Sequence, residues 1–206
     1  MNTPVIVEAL RAPIGRHNGS LAGTRPDALY ALVLDALLER SGLDPAAVED
    51  VITGCVSQVG EQGANIGRLA VLLSQLPKSV PAFSLNRMCG SSQQAIHLGA
   101  QAIAAGDARY VVCGGVESMT RVPMFSDLHG SLAALNPALF ERHELVHQGE
   151  SAERVAAKYS LAREELDAWS VASHLRAAHA RAEGRFEAQI VAVPAEGGVF
   201  GQDEAI

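Results

Sequence analysis

Short apolar segments alternate with longer helical patterns along the first half of the sequence, and this order strongly limits the possible folds. The predicted strands and helices are, in chain order, residues 4–9, 27–40, 51–56, 65–76, 82–85, 91–105 and 110–113. Glycines at 42 and 106 follow two of the helices, where a left-handed cap is most easily formed. Alternation of strands and helices favours parallel strands joined by crossover helices. The sequence therefore predicts an α/β fold, with helices covering a parallel or mixed sheet in a βαβαβαβ arrangement.

Composition and charge narrow the class of protein. The chain has 206 residues, 48% of them hydrophobic, which is sufficient for a large buried core. No segment resembles a membrane span or a signal peptide, so we expect a cytoplasmic protein. A net charge of −7 without a basic stripe argues against nucleic-acid binding. The three cysteines lack metal-type spacing, which predicts free thiols with neither a disulfide nor a zinc site.

Cys89 lies where the third predicted strand turns into the third predicted helix. A thiol at a helix start faces the positive end of the helix dipole and unpaired backbone N–H groups, both of which favour the thiolate. The same N–H groups can hold the oxyanion of an attacked carbonyl. Small residues at 90–92 leave room for a substrate. On spacing alone, a nucleophile and an inert core cysteine both remain open.

The helix predicted at 91–105 carries apolar or small residues in nearly all directions, so we expect it to be buried on most sides. Cys89 would then lie deep in the fold, and His97 would be a hydrogen-bonded core histidine. Cys55 and Cys113 lie in predicted strands, where packing explains them. Glu117 follows two glycines at the end of a strand, where a carboxylate could orient the loop below Cys89, and it is interpreted as structural.

The pattern changes after residue 119. Residues 120–149 form an irregular segment with one short helix near 133–142, and helices are predicted at 151–158 and 162–182. Ser160 is the expected N-cap of the last helix. A strand at 189–193 follows, and the chain is expected to stop before a closing element.

Five segments, taken in order, resemble the successive signatures of the thiolase family. They are RAPIG at 11–15, NRMCGSS at 86–92, GGVESMT at 114–120, HQGESAE at 147–153 and EGRF at 183–186. The resemblance extends from about residue 5 to residue 206 without a large gap, so it is far more specific than a single motif.

The resemblance implies a thiolase-like fold with a mixed sheet and an inserted, mostly helical loop domain. Residues 1–119 are expected to form the N-terminal thiolase-fold domain, and residues 120–206 an incomplete loop domain. The family contains a second, similar half, and this C-terminal domain is expected to be absent from the chain.

The resemblance also implies an acyl-CoA acetyltransferase that uses a ping-pong mechanism through an acetyl-cysteine. Cys89 matches the catalytic nucleophile, and His147 and Gln148 match residues that line the acyl and pantetheine site. Coenzyme A is the implied co-substrate, with no permanently bound cofactor and no metal. The family's activating histidine and second cysteine lie in motifs that these 206 residues lack, so the chain alone is expected to be nearly inactive.

Within the family, the short segment at 121–145 and the variants Arg87, Met88 and Gln148 favour degradative 3-ketoacyl-CoA thiolysis in fatty-acid or sterol side-chain oxidation. The alternatives are a biosynthetic thiolase that forms acetoacetyl-CoA, a β-ketoacyl synthase, and a non-catalytic fragment that binds CoA or dimerises. A homodimer or homotetramer is implied, with pairing through the strand before Cys89, near 83–86.

Overall fold

A computed structural model of the protein describes residues 2–195 and 197–206. The described chain forms two compact units. The first contains the residues up to Gly130 together with Gln189–Ala205, and the second contains Ser131–Ala188 and Ile206. The first unit thus extends past residue 119 and includes a later segment, whereas the sequence suggested two consecutive domains.

The first unit is built on a parallel sheet. Its strands β1 (Asp50–Gly54), β2 (Ala82–Leu85) and β3 (Val111–Gly115) are arranged in the order β2-β1-β3. Val51 of the central strand pairs with Ala82 on one side and with Val112 on the other. Parallel neighbours require crossover connections, and helices supply them here. The predicted α/β order with parallel strands is confirmed for this part of the chain.

Three helices accompany these strands, namely α1 (Pro26–Ser41), α2 (Ile66–Leu73) and α3 (Ser91–Ala105). α1 begins with a proline, whose fixed φ suits the first helical position. The predicted glycine caps are present, with φ of 65° at Gly42 and 88° at Gly106. α2 is shorter than predicted, because the Ser74 N–H donates to the carbonyls of Ala70 and Val71 and closes the helix before Pro77.

The two faces of the sheet are covered differently. On one face, apolar side chains from α1, α2 and the sheet form the core, which includes Tyr30, Leu34, Leu38, Val51, Ala70 and Val71. On the other face, α3 packs against β1 and β3. This second contact uses small residues: Gly99 of α3 faces the Cys113 sulfur so closely that an added Cβ would lie 2.4 Å from it.

The first predicted strand, at 4–9, is not formed, and this part of the fold prediction was wrong. Its apolar residues Val5, Ile6 and Val7 are 72%, 77% and 76% exposed. A strand is stabilised by ladder hydrogen bonds and by burial of one or both faces, and neither occurs here among the described residues. The sheet described above is accordingly parallel and begins at β1, in place of the mixed βαβαβαβ sheet that was expected.

The segment that returns to the first unit is fixed near its end by the acidic side chain of Asp203. Val193–Ala195 (β4) pairs antiparallel with Gly198–Phe200 (β5). The Asp203 carboxylate then accepts both terminal nitrogens of Arg11 at 2.7 and 2.8 Å and the Ile14 N–H at 2.7 Å. Bidentate arginine–carboxylate pairs are among the stronger hydrogen-bonded contacts in proteins. The segment predicted to stop without a closing element is therefore anchored on residues 11–14.

The second unit contains three helices, α4 (Ala138–Arg142), α5 (Gln148–Tyr159) and α6 (Arg163–Ala182). Ser160 closes α5 with φ of 52°, and α6 begins after Ala162, so the predicted N-cap was wrong. The Glu165 carboxylate accepts the Ala162 N–H at 2.8 Å. Every described side chain of Ser131–Ala188 is exposed or half-buried. None of the helices in residues 2–195 and 197–206 combines the length and the hydropathy that a membrane-spanning helix needs.

Candidate active site

Cys89 lies in a tight turn between β2 and α3. The turn includes Met88, whose φ of 49° is left-handed and uncommon for a residue with a side chain. The Ser91 hydroxyl stabilises the turn from within, because it accepts the Arg87 N–H at 2.8 Å and donates to the Met88 carbonyl at 2.6 Å. The Asn86 side-chain oxygen also accepts the Met88 N–H at 2.8 Å. Three side-chain hydrogen bonds hold the turn around this left-handed residue, and the turn fixes the start of α3 and the position of Cys89.

The thiol of Cys89 is exposed. The expectation that Cys89 lies deep in the fold was therefore wrong for this chain. The expectation that α3 is buried on most sides was also wrong, because only Ser91, Ala95 and Gly99 of the helix are buried. His97 is exposed as well, so it is not a core histidine. The helix packs on the sheet along one line of small residues, which leaves its remaining faces uncovered.

The donors around the thiol differ from the sequence-based expectation. The Gly90 N–H donates to the Arg87 carbonyl, and the Ser91 N–H donates to the Met88 carbonyl. Both groups are therefore engaged in the turn. Among the described residues, the N–H of Cys89 has no acceptor. This donor and the thiol belong to the same residue, so they lie close together. An oxyanion formed on an acyl group at Cys89 would find one backbone donor here.

Two glycines allow α3 to approach the sheet closely at its first turn. A Cβ on Gly54 would lie 2.4 Å from the Ser92 nitrogen and 2.6 Å from the Ser91 carbonyl carbon. A Cβ on Gly115 would lie 2.6 Å from the Gly54 carbonyl oxygen and closer still to the Ser92 hydroxyl. Real Cβ atoms do not make such contacts, so the carboxyl ends of β1 and β3 must carry glycine for the Cys89 turn to have this position.

The other two cysteines have different surroundings. Burial, and next the charge of Glu117 and a hydrogen bond to it, raise the pKa of the Cys55 thiol to about 12. Burial raises the pKa of the Cys113 thiol to about 11. A thiol that holds its proton at neutral pH is a poor nucleophile. These values agree with the packing roles that the sequence suggested for both.

Among the described residues, no group of histidine, cysteine and acidic side chains could hold a metal ion.

His147 and Gln148 belong to the second unit, whereas Cys89 belongs to the first. Both residues are exposed. His147 is the N-cap of α5, and its Nδ1 accepts the Gly149 N–H at 3.3 Å. The histidine thus has a local structural role at the start of α5.

Glu117 and Gln62 form a hydrogen-bonded cluster of which the sequence analysis noted only Glu117, as a structural residue. Glu117 follows β3, and its carboxylate accepts the Gln62 side-chain amide at 2.7 Å. It also accepts the backbone N–H groups of Val56 and Ser57 at 2.8 and 3.2 Å. The signal available in the sequence was a carboxylate two residues after a pair of glycines at a strand end. Nothing in the local pattern marked Gln62.

Comparison with known proteins agrees with this arrangement. The family model described as the thiolase N-terminal domain matches residues 4–206. A steroid 3-ketoacyl-CoA thiolase from Mycobacterium tuberculosis is 40% identical over 213 residues, covering 99% of this chain and 52% of that protein. A 3-ketoacyl-CoA thiolase from Erwinia tasmaniensis is 44% identical over 197 residues, covering 94% of this chain and 50% of that protein.

A third relative extends the range of named substrates. A beta-ketoadipyl-CoA thiolase from Acinetobacter baylyi is 39% identical over 208 residues, covering 94% of this chain and 52% of that protein. The chain spans about half the length of these curated relatives. The family match covers nearly all of the sequence and includes the Cys89 turn. The chain belongs to the thiolase family and carries its N-terminal domain.

Proposed function

We propose that this chain supplies the nucleophile of an acyl-CoA acyltransferase, and that the whole protein cleaves 3-ketoacyl-CoA with coenzyme A. The observation that carries the proposal is the exposed thiol of Cys89 in the turn just before α3, on the same residue as an unengaged N–H group. A thiolate and an oxyanion donor at one position are what nucleophilic acyl transfer requires.

The proposed reaction has two steps. The Cys89 thiolate attacks C3 of the 3-ketoacyl-CoA, the C2–C3 bond breaks, and its electron pair and a proton produce acetyl-CoA. The shortened acyl group remains as a thioester on Cys89, and this is an acetyl group when the substrate is acetoacetyl-CoA. The thiolate of free CoA then attacks that thioester, the bond to the Cys89 sulfur breaks, and acyl-CoA leaves. The proton lost by CoA balances the proton gained by acetyl-CoA.

The acyl-enzyme tests this function directly. Incubation of the full-length protein with acetyl-CoA is expected to add one acetyl group to the peptide that contains Cys89, as measured by mass spectrometry. Cys89→Ala should abolish this adduct and thiolysis, while Cys113→Ala should retain both. The 206-residue chain alone should turn over substrate at a small fraction of the full-length rate, because it lacks the family's histidine and second-cysteine motifs. Absence of the adduct from the full-length protein would contradict the proposal.

We assign the reaction to the degradative direction, with 3-ketoacyl-CoA esters longer than acetoacetyl-CoA as substrates. The similarity to a 3-ketoacyl-CoA thiolase and to a steroid 3-ketoacyl-CoA thiolase supports this assignment. The test is kcat/KM for thiolysis across a series of chain lengths. A strong preference for acetoacetyl-CoA would favour the biosynthetic reaction.

We interpret the second unit as the loop domain of the family, and His147 and Gln148 as substrate-binding residues within it. In the full-length enzyme, His147→Ala is expected to raise KM for the acyl-CoA more than it lowers kcat, because a binding contact acts on the ground state and the transition state alike. Steady-state kinetics measure both constants.

A second substitution separates binding from helix capping. Asn is a good N-cap residue, so His147→Asn should preserve the start of α5 while removing the ring. We expect it to raise KM as His147→Ala does, and His143→Ala, at another exposed histidine, to leave KM unchanged. If the KM of His147→Asn equals that of the parent enzyme, loss of the helix cap alone explains the higher KM of His147→Ala.

Three further properties accompany the proposal. Coenzyme A is the co-substrate, with no permanently bound cofactor. The protein is a homodimer or homotetramer that pairs along β2, which is an edge strand of the described sheet with a partly exposed Phe83. Its location is the cytoplasm, which agrees with three free cysteines. Light scattering with size-exclusion chromatography tests the oligomeric state, and cell fractionation tests the location.

A further inference from the structure

We propose that Glu117 and Gln62 are positioning residues for Cys89, acting through Val56 and Asn86 on the left-handed turn at Met88. The proposal deepens the proposed function, because it concerns the same nucleophile and rests on the role given to Cys89. It assigns a use in the reaction to two residues whose side chains do not belong to the Cys89 turn.

A series of hydrogen bonds, called the path below, leads from Glu117 through Val56 and Asn86 to Met88. It begins at the Glu117 carboxylate. This carboxylate follows β3 and accepts hydrogen bonds from the N–H groups of both Val56 and Ser57 and from the Gln62 amide. Val56 and Ser57 belong to the segment that follows β1. One carboxylate therefore holds together the chain segments that leave the carboxyl ends of two neighbouring strands. Hydrogen bonds to an ionised acceptor are stronger than those between neutral groups.

Gln62 makes this cluster rigid. Its side chain is fully buried, with 0% exposure. The amide nitrogen donates to the Ser57 carbonyl at 3.0 Å as well as to Glu117, and the amide oxygen accepts the Ser118 N–H at 2.6 Å. Both donor hydrogens and the oxygen of a buried amide are thus satisfied. A fully satisfied buried polar group favours one arrangement of its neighbours, because any other leaves a desolvated donor or acceptor unpaired.

The second part of the path connects this cluster with the nucleophile. The Val56 carbonyl accepts the Asn86 side-chain amide at 3.0 Å, and the Asn86 oxygen accepts the Met88 N–H at 2.8 Å. Val56 thus receives Glu117 on its N–H and Asn86 on its carbonyl. Cys89 follows Met88 directly. Since the φ of Met88 lies in a disfavoured region, it is maintained only by such surrounding contacts.

Other contacts also support the turn, and they differ in kind. Ser91 bonds to Arg87 and Met88 from inside the turn itself. The path from Glu117 comes from the sheet, so it fixes where the turn lies relative to β1 and β3. A displacement of about 1 Å at a reacting group can reduce turnover on the order of 100-fold. We therefore expect loss of the path to affect the reactivity of Cys89 more than the stability of the fold.

The test uses two variants that remove different links of the path. Glu117→Gln can place an amide N–H against the N–H of Val56, and Asn86→Asp replaces the donor to the Val56 carbonyl with an acceptor. Each is expected to slow alkylation of Cys89 by iodoacetamide at pH 8 by about five-fold, because either change releases the hydrogen-bonded turn that fixes the position of the Cys89 sulfur. Glu39→Gln is the matched control: it makes the same charge change on an exposed residue of α1 and should stay within two-fold of the parent.

A double-mutant cycle decides whether the two residues act through one path. The Glu117→Gln, Asn86→Asp double variant should react no more slowly than the slower single variant, because either change interrupts the same connection. Multiplicative effects, or single variants within two-fold of the parent, would overturn the proposal. Urea unfolding of each variant shows whether it is folded. Asn86→Asp changes an exposed side chain and keeps the test valid if Glu117→Gln unfolds.

Turnover of the full-length protein separates this proposal from the proposed function. Glu117→Gln should lower kcat about ten-fold while KM for the acyl-CoA stays within two-fold, since substrate contacts are unchanged. A change in KM alone would contradict a positioning role. If the parent protein transfers no acyl group but both variants still slow alkylation of Cys89, the proposed function fails and the positioning role stands.

Discussion

Alkylation by iodoacetamide at pH 8 is expected to modify Cys89 at least about 100-fold faster than Cys55 or Cys113 in the folded chain. A pKa of about 12 leaves about 10⁻⁴ of Cys55 as thiolate at this pH, and a pKa of about 11 leaves about 10⁻³ of Cys113. Cys55 is also sterically protected, with 1% exposure, whereas Cys89 is exposed. Peptide mapping after timed labelling measures the three rates.

Unfolding provides the control for this experiment. In concentrated urea, the three thiols should react at similar rates, because burial no longer raises the pKa of Cys55 or Cys113. Raising the pH of the folded chain should bring in Cys113 before Cys55, following the order of their pKa values. Rapid labelling of Cys113 at pH 8 would show that α3 does not cover β3 as described.

Gly54→Ala is expected to destabilise the first unit by about 3 kcal/mol or more, which is the upper end of the range for overpacked sites. The added Cβ would lie 2.4 Å from the backbone nitrogen of Ser92 and 2.6 Å from the carbonyl carbon of Ser91. A flexible side chain could move away, but these are main-chain atoms of α3. The helix must shift from the sheet, and the Cys89 turn must shift with it. Urea unfolding followed by circular dichroism measures the loss.

Gly23→Ala is the matched control for this substitution. A Cβ on Gly23 meets no atom within 4 Å, so its effect should stay within about 0.5 kcal/mol. Gly115→Ala should resemble Gly54→Ala, because its Cβ would lie 2.6 Å from the Gly54 carbonyl oxygen. Equal stability of Gly54→Ala and Gly23→Ala would contradict the close approach of α3 to β1.

Local sequence signals predicted the central elements of the fold well. β2 and α3 have the predicted bounds, and Gly42 and Gly106 cap their helices as expected. These elements depend on signals that lie within a few residues, such as a positive φ after a helix. The prediction of a strand at 4–9 was wrong because it relied on the same kind of local signal. The apolar pattern of this segment is favourable for a strand, but a strand also requires a neighbour, and a local pattern does not contain one.

The site was predicted in part. The sequence placed Cys89 at a helix start, and the structure has it there. Its exposure was missed, because the apolar composition of α3 suggested burial on most sides. Glu117 was noted at its strand end and interpreted as structural, but its partners were missed because they lie far apart in sequence: the hydrogen bond between Gln62 and Glu117 spans 55 residues. A glutamine in a short polar segment gives no local sign of such a contact.

The sequence by itself determined the α/β order, the thiolase family and the position of the candidate nucleophile, because each is encoded in short segments whose spacing can be read directly. Tertiary structure alone decided which thiol is accessible and which backbone donors remain available. It also decided how the turn at Met88 is held. These properties depend on burial and on hydrogen bonds between distant segments. They exist only once the parallel strands bring the ends of β1, β2 and β3 to one edge of the sheet.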